Sequence, residues 1–138
     1  MAKVNDCRAE EFVPSPHHRG FEGADFQPLN IPNHIDIDLT SQCNLRCRFC
    51  HLNFFAPPES ASMSYEQFMR LEPLLPHLES ITLFGKYEPL VCKDFTKIFN
   101  KISEYPIESY FSTNGIKLTR EIAESLVGRL KYLTVSIT

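Results

Sequence analysis

Residues 34–50 read His34-Ile35-Asp36-Ile37-Asp38-Leu39-Thr40-Ser41-Gln42-Cys43-Asn44-Leu45-Arg46-Cys47-Arg48-Phe49-Cys50. The first six residues alternate polar and apolar side chains, the period of a β-strand with one buried face. Directly behind that strand, three cysteines stand at the spacing C-x3-C-x2-C. The chain has five cysteines, too few and an odd number for a disulfide scaffold, and three of them fall within eight residues. In a reducing compartment such a cluster points to metal or redox chemistry.

Outward from this stretch, strands and helices alternate. Ser64-Tyr65-Glu66-Gln67 spells a capping box, with Met63 and Phe68 placed as a hydrophobic staple. Phe68, Leu71, Leu75 and Leu78 continue a buried helical stripe, which Pro73 and Pro76 should kink or end. A second strand is expected over residues 80–84. A helix capped by Asp94 follows, with Phe95, Ile98, Phe99 and Ile102 on one face, ending before Pro106. The third strand is expected over Glu108 to Ser112. The third helix starts after Thr119 and buries Ile122, Leu126, Val127 and Leu130, and the fourth strand runs from Tyr132 to Ile137. The order β-α-β-α-β-α-β implies an α/β fold with a parallel sheet and right-handed crossovers. It fits either an open doubly wound sheet or about half of a β/α barrel, since a complete barrel needs roughly 250 residues.

Residues 1–33 differ in character. Pro14, Pro16, Pro28 and Pro32 interrupt them and no period persists, so an irregular leader is expected there, followed by one β/α domain over 34–138. The 138 residues carry a formal charge of −3, with 14 basic side chains against 17 acidic ones. That balance gives no strong signal for nucleic acid, which is gripped by concentrated positive charge. No apolar run approaches the roughly 20 residues of a membrane span, and no signal-peptide pattern opens the chain, so a cytoplasmic location is expected.

Three thiolates from one loop can meet three corners of an iron–sulfur cube. Four-cysteine ligation is the rule in electron carriers, so a three-cysteine set leaves one iron open for a substrate or cofactor. Here the sequence resembles the radical S-adenosylmethionine (radical SAM) enzymes, and the resemblance extends from about His34 to the end. It includes Gly85-Lys86-Tyr87-Glu88-Pro89-Leu90 in the place of that family's G-x-G-E-P segment, Thr113-Asn114-Gly115 after the third strand, and Val135-Ser136-Ile137-Thr138 on the fourth.

The resemblance implies that Cys43, Cys47 and Cys50 hold a [4Fe–4S] cluster. It implies that Phe49 packs on the adenine of SAM and that Glu88, with Gly85 and its loop, faces the methionine amino group. Asn114 joins the cofactor-binding set, and Ser136 resembles the hydroxyl positions that contact the ribose or carboxylate. The family's chemistry is reductive cleavage of SAM to a 5′-deoxyadenosyl radical, which takes hydrogen from a substrate. Implied partners are an unidentified substrate, a reductant such as flavodoxin or ferredoxin, and a second chain completing the barrel. The isolated chain is expected to be an incomplete core, truncated at its C-terminus, that binds a cluster but turns SAM over weakly or not at all.

Two positions depart from the pattern. Tyr87 stands where the family has glycine, which permits positive φ and close backbone approach, and Thr138 replaces the usual acid. Three other readings of the cysteines stay open. One is a non-catalytic iron–sulfur or electron-transfer module. Another is an interaction domain stabilised by zinc on Cys43, Cys47, Cys50 and His51, although His51 adjoins Cys50. The third takes Cys47 to His51 as the c-type haem string C-x-x-C-H, which needs export and leaves Cys43 unexplained. Asp36 and Asp38 share one face of the first strand, which is either hydrated or part of a polar pocket. Cys7 and Cys92 are expected to be ordinary thiols.

Overall fold

The computed structural model describes residues 31–55 and 59–137. The leader expected over 1–33 lies outside them except for its last three residues, as do Cys7 and Thr138. Four strands, β1 (His34–Asp36), β2 (Ser80–Thr82), β3 (Glu108–Thr113) and β4 (Tyr132–Val135), pair in chain order. Every pairing is parallel, with His34 opposite Ser80, Ser80 opposite Glu108, and Tyr110 opposite Tyr132. Helices α1 (Tyr65–Phe68), α2 (Phe95–Ile102) and α3 (Arg120–Leu126) occupy the crossovers. The sheet therefore has the order and direction that the alternating pattern implies.

Burial is one-sided. Ile81, Leu83 and Phe111 point into a single core with Phe68, Leu75, Phe95, Ile98, Phe99 and Ile102, and Ile35 and Leu133 pack at its margin. The rings of Phe95 and Phe111 meet edge to face at 5.2 Å. The opposite face presents His34, Asp36, Ser80, Thr82, Glu108 and Tyr110, all exposed or half-buried. Doubly wound sheets are covered on both faces. Among the described residues one face of the sheet is apolar and the other polar, which is the layout of a barrel segment.

Some local expectations are corrected. Ser64 and Gln67 close the capping box, but α1 spans four residues before the backbone tightens into a 3-10 stretch over Met69–His77. Pro73 and Pro76 lie inside that stretch, and each lacks the N–H that an α-helical ladder needs. Asp94 does not cap α2 with its side chain; its carboxylate instead accepts the Tyr65 N–H at 3.0 Å, tying α2 to the start of α1. Val127, expected in the core, is 78% exposed because α3 ends at Leu126 and the chain leaves the helical period there. Ile122 and Leu130 are half-buried, and only Leu126 of that stripe is buried. Asp36 and Asp38 do share the open face: Asp36 pairs with His34, and Asp38 accepts the Lys86 N–H at 3.0 Å. Cys92 is buried as an ordinary thiol and donates to the Met63 carbonyl. Among the described residues no helix is long and apolar enough to cross a membrane.

Candidate functional site

The cysteine loop leaves the sheet just beyond the carboxyl end of β1, where parallel α/β folds place their sites. Its base is stitched shut by Ser41 N–H to Ala61 O at 2.9 Å and Met63 N–H to Leu39 O at 2.8 Å. Within it, Cys50 N–H reaches Cys47 O at 3.0 Å, closing a tight turn between two of the thiols. Asn53 donates its side-chain amide to the carbonyls of Cys47 and Arg48, at 2.8 and 3.2 Å. Buried Leu52 anchors the short turn His51–Asn53 that follows. Cys43, Cys47 and Cys50 are each half-buried and unpaired by disulfide. They are thus fixed by backbone around them yet open on one side.

A cleft of about 260 Å³ lies between this loop and the carboxyl ends of β2, β3 and β4. Cys43, Cys47 and Cys50 line it, together with Gly85, Glu88, Asn114 and Ser136. A neighbouring hollow of about 400 Å³ shares Cys47, Asn114 and Ser136 and extends along Arg46 and Ile116. Every expected site residue except Phe49 therefore reaches one place. Phe49 is 92% exposed and lies under the Arg48 guanidinium, 5.7 Å from its ring centre.

The loops around the cleft are joined through Glu88. Its carboxylate is buried and accepts three hydrogens: Thr113 Oγ1 at 2.6 Å and Leu90 N at 3.2 Å on one oxygen, and Asn114 N at 2.8 Å on the other. Its own N–H donates to the Gln42 carbonyl at 3.1 Å, one residue before the first cysteine. Glu88 thereby ties the turn after β2 to the end of β3 and to the cysteine loop. Thr113 Oγ1 in turn accepts the Gly115 N–H at 3.1 Å. Gly115 has φ +77°, a conformation open to glycine at little cost, and it lets the turn after β3 fold back under Asn114.

Gly85 is favoured for a different reason. A Cβ there would stand 2.7 Å from Asp38 Oδ2, so the Asp38 carboxylate occupies the space that any other residue would need. Tyr87 fits its position without strain, because among the described residues no residue other than glycine has positive φ. Its ring meets the His51 imidazole edge to face at 6.4 Å, a further contact between this turn and the cysteine loop. In the sequence Thr113 appeared only as part of a motif and Asp38 only as a candidate pocket residue, while Gln42 was missed. Asp38 carried a signal in its strand parity, whereas Gln42 acts through its backbone and carried none.

Electrostatics away from the cleft are local. Hydrogen bonds from Thr82 and His34 hold the Asp36 carboxyl below the ordinary aspartate range. Lys131 and Tyr110 do the same for Glu108 at the foot of β3. Arg46 and Arg48 are exposed, and neither has a carboxylate partner among the described residues.

The donor set can be tested against the group it would hold. Three thiols line one cleft, but among the described residues no three Cys, His, Asp or Glu side chains converge on a single metal ion. Soft thiolate donors gathered in one cleft fit a multi-iron cluster with cysteine ligands. The adjoining open volume leaves room for a small molecule beside it.

A parallel β/α segment with a three-cysteine cleft at its carboxyl face defines a class, and the comparisons name it. Residues 37–138 match the profile of the Radical SAM superfamily, and the chain belongs to that superfamily. Its members use a [4Fe–4S] cluster and S-adenosylmethionine. The probable GTP 3′,8-cyclase of Thermococcus kodakarensis is 35% identical over 95 residues, covering 67% of this chain and 30% of the cyclase. Mycofactocin maturase MftC of Mycolicibacterium smegmatis is 29% identical over 114 residues, covering 80% of this chain and 28% of the maturase. The chain therefore spans under a third of the length of these curated relatives. Among solved structures, BtrN in complex with AdoMet and 2-DOIA superposes with a TM-score of 0.62 at 25% identity, over 75% of this chain and 44% of BtrN. Streptococcus suis SuiB, bound to its precursor peptide SuiA, shares the fold with a TM-score of 0.53 at 22% identity, over 75% of this chain and 23% of SuiB.

Proposed function

We propose that this chain supplies the cluster-binding part of a radical SAM enzyme, with Cys43, Cys47 and Cys50 as ligands of a [4Fe–4S] cluster. The single observation that carries the reading is the cleft in which these three thiols meet Gly85, Glu88, Asn114 and Ser136. The chemistry supplied by the cluster and SAM when bound is reductive cleavage of the sulfonium C–S bond to a 5′-deoxyadenosyl radical that takes hydrogen from a substrate.

The chain's own residues shape the place where that happens. The turn between Cys47 and Cys50 and the Asn53 amide set the path of the loop. Glu88 works mainly as a tie, since both its oxygens are engaged within the chain; the turn it anchors is the part that faces SAM. Ser136 and Asn114 border both hollows, and the Ser136 hydroxyl is the one suited to the ribose or carboxylate of SAM. Phe49 is exposed just before the third cysteine and does not line the cleft; its packing on the adenine requires the ring to turn inward when SAM binds. A cytoplasmic setting, a low-potential donor of the flavodoxin or ferredoxin class and further β/α units, from this or another polypeptide, complete the reading.

Electron paramagnetic resonance of the anaerobically reconstituted, reduced protein tests it. Addition of SAM is expected to change the spectrum of the reduced cluster, as coordination to an open iron requires. A spectrum indifferent to SAM points to an electron-transfer module, and a spectroscopically silent zinc protein points to an interaction domain.

A further inference from the structure

Asn114 was expected among the cofactor-binding residues, yet its polar atoms are largely committed within the chain. Its backbone N–H donates to Glu88 Oε2 at 2.8 Å, and its side-chain oxygen accepts the Ile116 N–H at 3.0 Å. Its side-chain amide donates to Asn44 Oδ1 at 2.8 Å, across 70 positions of sequence, and approaches Cys43 Sγ at 4.0 Å. Asn44 immediately follows Cys43 within the cysteine loop. One residue thus joins the glycine turn after β3, the Glu88 turn after β2 and the first cysteine.

We propose that Asn114 is a positioning residue that clamps the Cys43 end of the cysteine loop through Asn44 and donates weakly to the Cys43 sulfur. The inference rests on the cluster reading for its consequence, but the clamp itself is a property of the chain without iron. A loop held at one end only by backbone and water samples many conformations, and each hydrogen bond that restrains it lowers the entropy lost when three ligands must meet one cluster. A hydrogen bond to a ligand sulfur also stabilises the more negative, reduced form of a cluster and raises its potential.

The test uses Asn44→Ala, Asn114→Ala and the double variant of the full chain. Asn44→Ala leaves the Glu88 and Ile116 contacts in place, so it breaks the clamp without disturbing the turn. Hydrogen–deuterium exchange of the iron-free protein is expected to rise by about five-fold across residues 43–50 in each single variant, the size of one hydrogen bond. The strands should not change in Asn44→Ala, and the double variant should be no worse than the worse single one. In iron-loaded protein, chelator-driven loss of iron should accelerate in the same order. Asn114→Ala, which loses the amide donor without adding a charge, should shift the midpoint potential downward relative to Asn44→Ala.

Unchanged loop exchange in Asn44→Ala, or additive effects in the double variant, would overturn the clamp. A potential no lower in Asn114→Ala than in Asn44→Ala would overturn the sulfur contact. If no variant, parent included, takes up iron, the cluster reading fails while the exchange experiment still decides the clamp.

Discussion

Replacing Glu88 with glutamine removes a charge and one acceptor while keeping the shape. The buried carboxylate accepts from Thr113, Leu90 and Asn114 at 2.6, 3.2 and 2.8 Å. Glutamine offers one oxygen and one amide. If the oxygen keeps Thr113 and Leu90, the amide faces the Asn114 N–H, donor against donor. If the side chain is turned over, the amide faces the Leu90 N–H instead. Either orientation loses at least one bond and weakens the others from charged to neutral. Hydrogen bonds to charged groups contribute about 1.5–3 kcal/mol and neutral ones about 1 kcal/mol. After allowing for the desolvation that a neutral group avoids, Glu88→Gln should cost about 2 kcal/mol. For a chain of this size that is roughly 8 °C in Tm, measured on the iron-free protein by circular dichroism. A carboxylate reserved for a ligand amine behaves in the opposite way, since functional groups left unpaired tend to reduce stability. A Glu88→Gln protein within about 0.5 kcal/mol of the parent, or more stable than it, would refute the role of Glu88 as a tie.

Gly85→Ala should destabilise by about 1–2 kcal/mol, because the new Cβ forces Asp38 out of its bond to Lys86, and Asp38→Ala should recover much of that loss in denaturant melts of the double variant. Ser109 is buried in the core with its hydroxyl unpaired, so Ser109→Ala should stabilise by about 1 kcal/mol, read as a shift of the urea midpoint. The Glu108 carboxyl is held low by Lys131 and Tyr110, so its contribution is present above its unfolded pKa and lost as pH falls through the lowered folded value. Glu108→Gln should therefore flatten the stability profile on the acid side of pH 4.5, with a smaller difference at high salt because the pair is exposed.

The order and direction of the strands were legible because apolar residues recur at every second position of β1 and β4 and at helical spacing between the strands. Those periods report which face is buried and nothing more. They failed where a local rule met tertiary packing. Asp94 has the right identity for an N-cap, but its carboxylate lies nearer the start of α1 than the first turn of its own helix. Val127 continues the apolar stripe in sequence and leaves it in space, because α3 stops one residue earlier. The cysteines stood out by their spacing, and Gly85, Glu88, Asn114 and Ser136 followed from the resemblance to the radical SAM family; parallel strands bring the carboxyl ends that carry them to one edge. The bond from Thr113 to Glu88, spanning 25 positions, and the one from Asn114 to Asn44, spanning 70, follow from strand pairing that no local pattern encodes. Tyr87 looked incompatible with a glycine position, yet the turn keeps φ negative there and leaves its tight approach to Gly85, beside Asp38.

Counting iron and acid-labile sulfide in anaerobically purified and reconstituted chain, beside variants with Cys43, Cys47 or Cys50 replaced by alanine, tests the cluster most directly. The expected result is roughly four irons and four sulfides per chain in the parent, with each cysteine variant losing most of them. A parent that carries no iron, or that holds zinc in its place, would contradict the assignment of these three cysteines to a cluster.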